Sequence, residues 1–194
     1  MRHKTFDKPH SHDAEWYKDR EAVDHINQSG HRPRLLQVQE FLLQIVEENP
    51  DYTICDFGCG NAGLIREIES SISNKLWGYD LCPANVEDAH SKGSKNVSYT
   101  DFINDDSIEY PDIVICTEVL EHLVDPDSFI KKLLENGVKY IIASSPDYET
   151  PTQHEPYHLW VFNGDSYKDM FTDSGWNVLL HHRDYFQYII AKNT

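Results

Sequence analysis

The chain is short of positive charge: 17 Lys and Arg stand against 33 Asp and Glu, a formal net charge of -16 with the 11 histidines neutral. A surface this negative repels phosphate backbones and anionic headgroups, so neither nucleic acid nor membrane is an expected partner. The one dense basic stretch, His31-Arg32-Pro33-Arg34, is short. Long apolar runs are missing as well, none approaching the roughly 18 residues that suggest a membrane span. The N-terminus, MRHKTFDKPHSHDAEW, lacks the apolar centre of a signal peptide and the Arg/Ser-rich, acid-poor character of a transit peptide. A cytoplasmic protein is expected. Four cysteines, Cys55, Cys59, Cys82 and Cys116, show no C-x-x-C spacing and lie in apolar or glycine-rich stretches, which argues against a zinc knuckle or disulfide framework and for buried free thiols.

At 194 residues one domain spanning 1–194 is expected. Residues 1–12 carry no apolar period and read as a mobile tail. A loosely patterned helix is placed over Asp13–Ile26, and a stronger one carries Leu35, Val38, Leu42, Ile45 and Val46 at three-to-four spacing behind Pro33. Residues 1–48 thus form a tail and helices covering a site, and 49–194 the core. From residue 52 short apolar strands alternate with helices, the signature of a parallel sheet of βαβ units. Strands are placed at Tyr52–Asp56, Lys75–Asp80, Asn96–Thr100, Asp112–Thr117 and Lys139–Ser144. Asp125-Pro126 caps a helix that Gly137 stops, and Asp165 caps another ending at Gly175. The last stretch, 176–192, is an antiparallel hairpin around His182-Arg183-Asp184. The fold expected is α/β, a doubly wound, mostly parallel, seven-stranded Rossmann-like sheet with that hairpin at its end.

Residues 54–63, ICDFGCGNAG, place Gly58, Gly60 and Gly63 in a turn between the first core strand and a helix carrying Leu64, Ile65 and Ile68. About 20 residues on, Asp80 ends the next strand, where a carboxylate accepts from ribose hydroxyls. A nucleoside ligand follows. Asp56 then separates two classes of it. In dinucleotide sites the position two before the first glycine is ordinarily apolar, because the turn receives an anionic pyrophosphate. A carboxylate there opposes that anion and favours S-adenosylmethionine, which has no phosphate and carries an ammonium and a sulfonium.

Asp56-Phe57-Gly58-Cys59-Gly60 resembles the first signature of class I S-adenosylmethionine-dependent methyltransferases, and Trp77-Gly78-Tyr79-Asp80-Leu81-Cys82-Pro83 their second. The run Ile113 to Leu123, IVICTEVLEHL, is similar to the fourth-strand signature of the subgroup containing ubiquinone-pathway O-methyltransferases. The resemblance covers about residue 35 to the end. It implies that S-adenosylmethionine is held by Asp56 near the ammonium, by Gly58, Cys59 and Gly60, by Asp80 on the ribose, by Leu81, Asp101 and Phe102 at the adenine, and by Thr117. Where that family usually has glycine, this chain has Ala62, and Gly63 is expected to absorb the turn.

Methyl transfer requires an aligned acceptor and removal of its proton. Candidates follow the fourth and fifth core strands: His122 and His158 as general bases, with Glu118, Glu121, His154 and Trp160 on the acceptor side. The stretch PDYETPTQHEPYHLW, 146–160, reads as a substrate loop. The expected acceptor is a small-molecule hydroxyl. Glu118, Glu121, His122 and His158 also resemble the divalent-ion site of small-RNA 2′-O-methyltransferases, so an RNA methyltransferase with a metal there is an alternative. A non-catalytic S-adenosylmethionine-binding protein is another.

Overall fold

The computed structural model describes residues 2–4 and 14–194. In chain order the elements are β1 (Arg2–Lys4), α1 (Ala14–Tyr17), α2 (Arg32–Glu48), β2 (Ile54–Phe57), α3 (Gly63–Ile68), β3 (Leu76–Asp80), α4 (Pro83–Ser91), β4 (Val97–Tyr99), β5 (Ile113–Thr117), α5 (Pro126–Glu135), β6 (Tyr140–Pro146), β7 (Trp160–Phe162), α6 (Gly164–Asp173), β8 (Asn177–Arg183) and β9 (Phe186–Lys192). Short 3-10 turns lie at His25–Asn27 and Leu120–His122. A seven-stranded sheet has the order β4-β3-β2-β5-β6-β9-β8. β2 runs parallel to β3 and β5, and β9 antiparallel to β6 and β8, so the mostly parallel sheet with a terminal hairpin is as the sequence predicts. The order runs outward from β2 in both directions, the kind of switch point at whose carboxyl ends doubly wound sheets take ligands. Among the described residues no helix is long and apolar enough to cross a membrane.

The chain divides into two compact units, residues 13–115 and residues 116–194 with 1–12. In the first, β2, β3 and the start of β5 are buried throughout, which is why they read as unbroken apolar runs rather than alternating ones. Leu42, Ile54, Phe57, Ile65, Ile68, Ile113 and Ile115 are its largest fully buried side chains, each worth about 1.5–3 kcal/mol of burial. In the second, Leu120, Phe162, Tyr167, Phe171 and Tyr188 play that part.

Of the two helix caps expected from the sequence, one is formed by the residue named and one by a neighbour. Asp125 caps α5 by accepting from the Ser128 amide at 3.0 Å, and Gly137 and Gly175 take positive φ after α5 and α6 as expected. The cap of α6, however, is Asn163, whose Oδ1 accepts from the Ser166 amide at 3.1 Å, and Asp165 lies in the first turn. The helix expected over Asp13–Ile26 shrinks to α1 and the 3-10 turn, consistent with its loose apolar spacing. Of the expected tail, Arg2–Lys4 pair antiparallel with Phe162–Trp160, and the rest lies outside the described residues. The terminal hairpin turns at 184–185, one residue beyond the centre read from sequence.

Candidate functional site

In the unit 13–115 the glycine turn is fastened to the end of β3. The amides of Gly58 and Cys59 both donate to the Tyr79 carbonyl, at 2.8 and 3.1 Å, and that of Gly60 donates to Asp80 Oδ2 at 2.7 Å. Gly58 and Gly60 have φ of 79° and 57°, which glycine adopts without cost. The third left-handed residue is Ala62 itself, φ 60°, so the turn is not absorbed by Gly63 as expected. Gly63 is required for room: a Cβ there would lie 2.7 Å from Ile26 Cβ. Asn61, buried, donates to Asp88 Oδ2 at 2.8 Å and ties the turn to α4.

Two buried carboxylates flank this turn. Asp80 Oδ1 accepts from the Cys82 amide at 2.8 Å and from Asn85 Nδ2 at 3.1 Å, so much of its capacity orders the protein, and one lone pair on Oδ2 is left for a hydroxyl. Its pKa is raised by burial against the pull of these bonds. Asp56 is buried, and its Oδ1 has no hydrogen-bond partner in the structure. Burial first and the Asp80 charge second push its pKa up to about 7, while Arg34 acts to lower it. A buried carboxylate oxygen without a donor is costly unless a ligand cation or donor completes it. Arg34, on α2 and 2% exposed, was read in the sequence as part of a basic patch. Its charge acts on Asp56, and burial first and the Arg34 charge second hold His31 down to about 4.

Of the adenine-side candidates, Leu81 and Phe102 are buried, and Phe102 packs on Phe57 with ring centroids 5.2 Å apart. Asp101 accepts from the Asn104 amide at 3.1 Å and from its Nδ2, the geometry of a turn residue. Cys59 is buried, its thiol pKa pushed well up by burial and by Asp80 and Asp56. Trp77, Gly78 and Tyr79 are strand residues of β3, and a Cβ on Gly78 would meet Cys59 Sγ and Ile65 Cδ1 at 2.7 Å.

In the unit 116–194 Thr117 ends β5 and is buried. Glu118 follows with φ 56°, an uncommon conformation for a side-chain-bearing residue and one concentrated at functional sites. It is held there by its amide donating to the Ser144 carbonyl at 3.0 Å and by Ser144 Oγ donating to its Oε1 at 3.2 Å. The 3-10 turn then brings Glu121, fully buried, and His122 together with His158: one ligand atom from each lies within 4.8 Å of the others. Glu118 is outside that group. The His122 and His158 rings meet edge to face at 4.7 Å.

The loop 147–159 is built onto this turn. Leu159 N donates to the Glu121 carbonyl at 2.7 Å, Trp160 Nε1 to the Leu123 carbonyl at 2.8 Å, and His122 Nδ1 lies 3.1 Å from the Tyr157 carbonyl. Trp160 also enters β7, so its visible work is bracing. His154 lies against the Glu155 carbonyl, apart from the other two histidines. Sequence reading missed Glu149: its Oε2 lies 2.8 Å from His158 Nδ1 and its Oε1 accepts the Glu155 amide at 2.8 Å. Burial works against charge on His158, but the bond to Glu149 and the charges of Glu121, Glu149 and Glu118 outweigh it and raise its pKa. Also missed was a stacked pair, Tyr148 on Tyr185, with centroids 4.1 Å apart and both rings exposed. The segments carrying them are locked by Arg183 donating to both Asp147 oxygens at 2.9 and 3.0 Å.

The methyltransferase domain family matches residues 29–181. Ubiquinone biosynthesis O-methyltransferase from Proteus mirabilis (strain HI4320) is 29% identical over 117 residues, 53% of this chain and 47% of that protein, so the chain spans about half the length of this relative. Among solved structures, magnesium protoporphyrin IX methyltransferase from Synechocystis PCC 6803 with bound S-adenosylhomocysteine superposes with a TM-score of 0.68 at 17% identity, covering 92% of this chain and 91% of that one. A methyltransferase from Aquifex aeolicus gives 0.63 at 19% identity over 80% and 89% of the two chains. The cyclase SpnF gives 0.65 at 14% identity over 86% and 64%, so this fold does not by itself fix a reaction. With the glycine turn and its two buried acids on the fold those structures share, the chain belongs to the methyltransferase domain family and has the Rossmann-like architecture of the class I, S-adenosylmethionine-dependent methyltransferases.

Proposed function

We propose that this chain transfers the methyl group of S-adenosylmethionine to a hydroxyl of a small-molecule acceptor. The observation that carries the reading is Asp56: a buried carboxylate, one oxygen lacking a donor, beside a glycine turn. That pattern suits an ammonium and opposes a pyrophosphate, so the residues fit S-adenosylmethionine, which when bound supplies a methyl group activated by a sulfonium. Asp56 holds the ammonium, and Arg34 complements the carboxylate end of the same methionine moiety. Gly58, Cys59 and Gly60 present backbone, Asp80 offers its remaining lone pair to the ribose, and Leu81, Asp101 and Phe102 take the adenine. Proton removal falls to His122 and His158. His122 Nδ1 faces a carbonyl, which only a protonated nitrogen satisfies, so its Nε2 carries the lone pair. Glu118 and the Tyr148–Tyr185 stack supply polar and flat apolar contacts for the acceptor, while His154 and Trp160 support the loop.

Thermal stabilisation by S-adenosylmethionine with none by NAD tests the ligand, and release of S-adenosylhomocysteine across a panel of small hydroxyl acceptors tests the reaction. Stabilisation without turnover would make the chain a binder only. His122→Ala and His158→Ala are each expected to lower turnover about a hundredfold with cofactor affinity nearly unchanged. The grouping of Glu121, His122 and His158 within 4.8 Å favours a second reading, a divalent ion held by these three. Metal analysis of chelator-free protein, with turnover measured after chelation, separates the two. The charge of -16 argues against an RNA acceptor, and RNA binding at low salt would reverse that conclusion.

A further inference from the structure

We propose that Glu149 is a positioning residue for His158, and that it acts by fixing which imidazole nitrogen carries the proton. The inference rests on the reading that His158 serves the acceptor. Glu149 Oε2 lies 2.8 Å from His158 Nδ1, and the two side chains are 2% and 9% exposed. An ionised carboxylate only accepts, so Nδ1 must be the nitrogen that donates. The opposite tautomer would set two lone pairs against each other at that distance, out of water. The lone pair of neutral His158 is therefore on Nε2, in a side chain that groups with Glu121 and His122.

Glu149 is itself held so that this arrangement cannot invert. Its second oxygen, Oε1, accepts the Glu155 amide at 2.8 Å, and the His158 amide donates to the Glu155 carbonyl at 3.1 Å. A short closed circuit results: Glu155 orients Glu149, Glu149 orients the ring of His158, and the backbone of His158 returns to Glu155. His122 reaches the same end by another route, with its Nδ1 against the Tyr157 carbonyl at 3.1 Å. Two imidazoles from different segments thus take the same tautomer from different partners. Carboxylate and carbonyl partners of this sort fix ring orientation and raise basicity where histidines act as bases or ligands, and losing one commonly costs 10–100-fold in activity.

The test is the tautomer itself, read by nitrogen-15 NMR of the full chain labelled in histidine, at a pH where His158 is neutral. Histidine free in water favours the proton on Nε2, so the expected result, His158 protonated on Nδ1 by at least about tenfold, departs from the default. In Glu149→Gln the preference should fall to a mixture, because one amide oxygen cannot serve both the imidazole and the Glu155 amide. A wild-type His158 protonated on Nε2, or an unchanged tautomer in folded Glu149→Gln, overturns the proposal. The wild-type spectrum decides even if the variant does not fold. Turnover of His158→Ala fails or succeeds separately: full activity there would overturn the acceptor role of His158 and leave the tautomer result standing.

Discussion

Burial and the Asp80 charge hold the Asp56 carboxyl near pH 7, well above its unfolded value, and the sign of the consequence can be worked out. Between about pH 4 and 7 the folded chain keeps this proton and the unfolded chain does not, so stability contributed by Asp56 is present at the acid end and lost as pH rises through about 7. Asp56→Asn should flatten that slope and leave the ligand-free protein more stable at pH 8, by on the order of a few kcal/mol, measured by chemical denaturation. Cofactor affinity should move the other way. An ammonium needs the ionised form, so S-adenosylmethionine should bind more weakly as pH drops below 7, a trend that calorimetry should find missing in Asp56→Asn. Asp80→Ala has a double cost, because the same carboxylate holds the Gly60 and Cys82 amides and Asn85. Affinity should fall by about 1.5–3 kcal/mol, roughly ten- to a hundredfold, and ligand-free stability should fall with it. Unchanged affinity would remove Asp80 from the cofactor.

Glycine turn and β3 behave as one element, since Tyr79 and Asp80 receive the turn's amides and Gly78 leaves the space Cys59 occupies. Gly78→Ala puts a methyl group 2.7 Å from Cys59 Sγ and Ile65 Cδ1, and should destabilise by about 1–3 kcal/mol while weakening S-adenosylmethionine binding. Recovery of binding in Gly78→Ala with Cys59→Ala, followed by calorimetry, would trace the damage to that contact. This turn was legible in the sequence because its chemistry is local: glycines, a strand before, an acid after. So were the strands of the core and the Asp125 cap. Residues 14–31 were not, because Ile26 finds its place against Gly63 and not through any period of its own. Glu149 was equally hidden. It stands nine residues from His158 in a loop without repeat, and their contact exists only once Glu155 and Leu159 have fastened that loop. Ala62 shows the converse, a position flagged by sequence whose answer, a left-handed alanine, needed the backbone.

Across the whole molecule, 33 acidic residues against 17 basic ones should keep nucleic acid away, and a filter-binding assay with single-stranded RNA at low salt should show no retention. The four cysteines offer a different kind of readout. All are buried, three in the unit 13–115 and Cys116 in the other, and the thiols of Cys55 and Cys59 are additionally held protonated by burial and nearby carboxylates. A chromogenic thiol reagent should therefore find nothing to react with in the native chain, and each thiol should report the rate at which its own surroundings open. Cys59 sits in the glycine turn and Cys82 donates its amide to Asp80, so S-adenosylmethionine should slow both without slowing Cys116. Equal slowing of all four would mean that the ligand tightens the chain globally, and immediate reaction of one would locate a breathing segment. The chain thus carries its own clocks, placed by the fold where ligand occupancy can be timed.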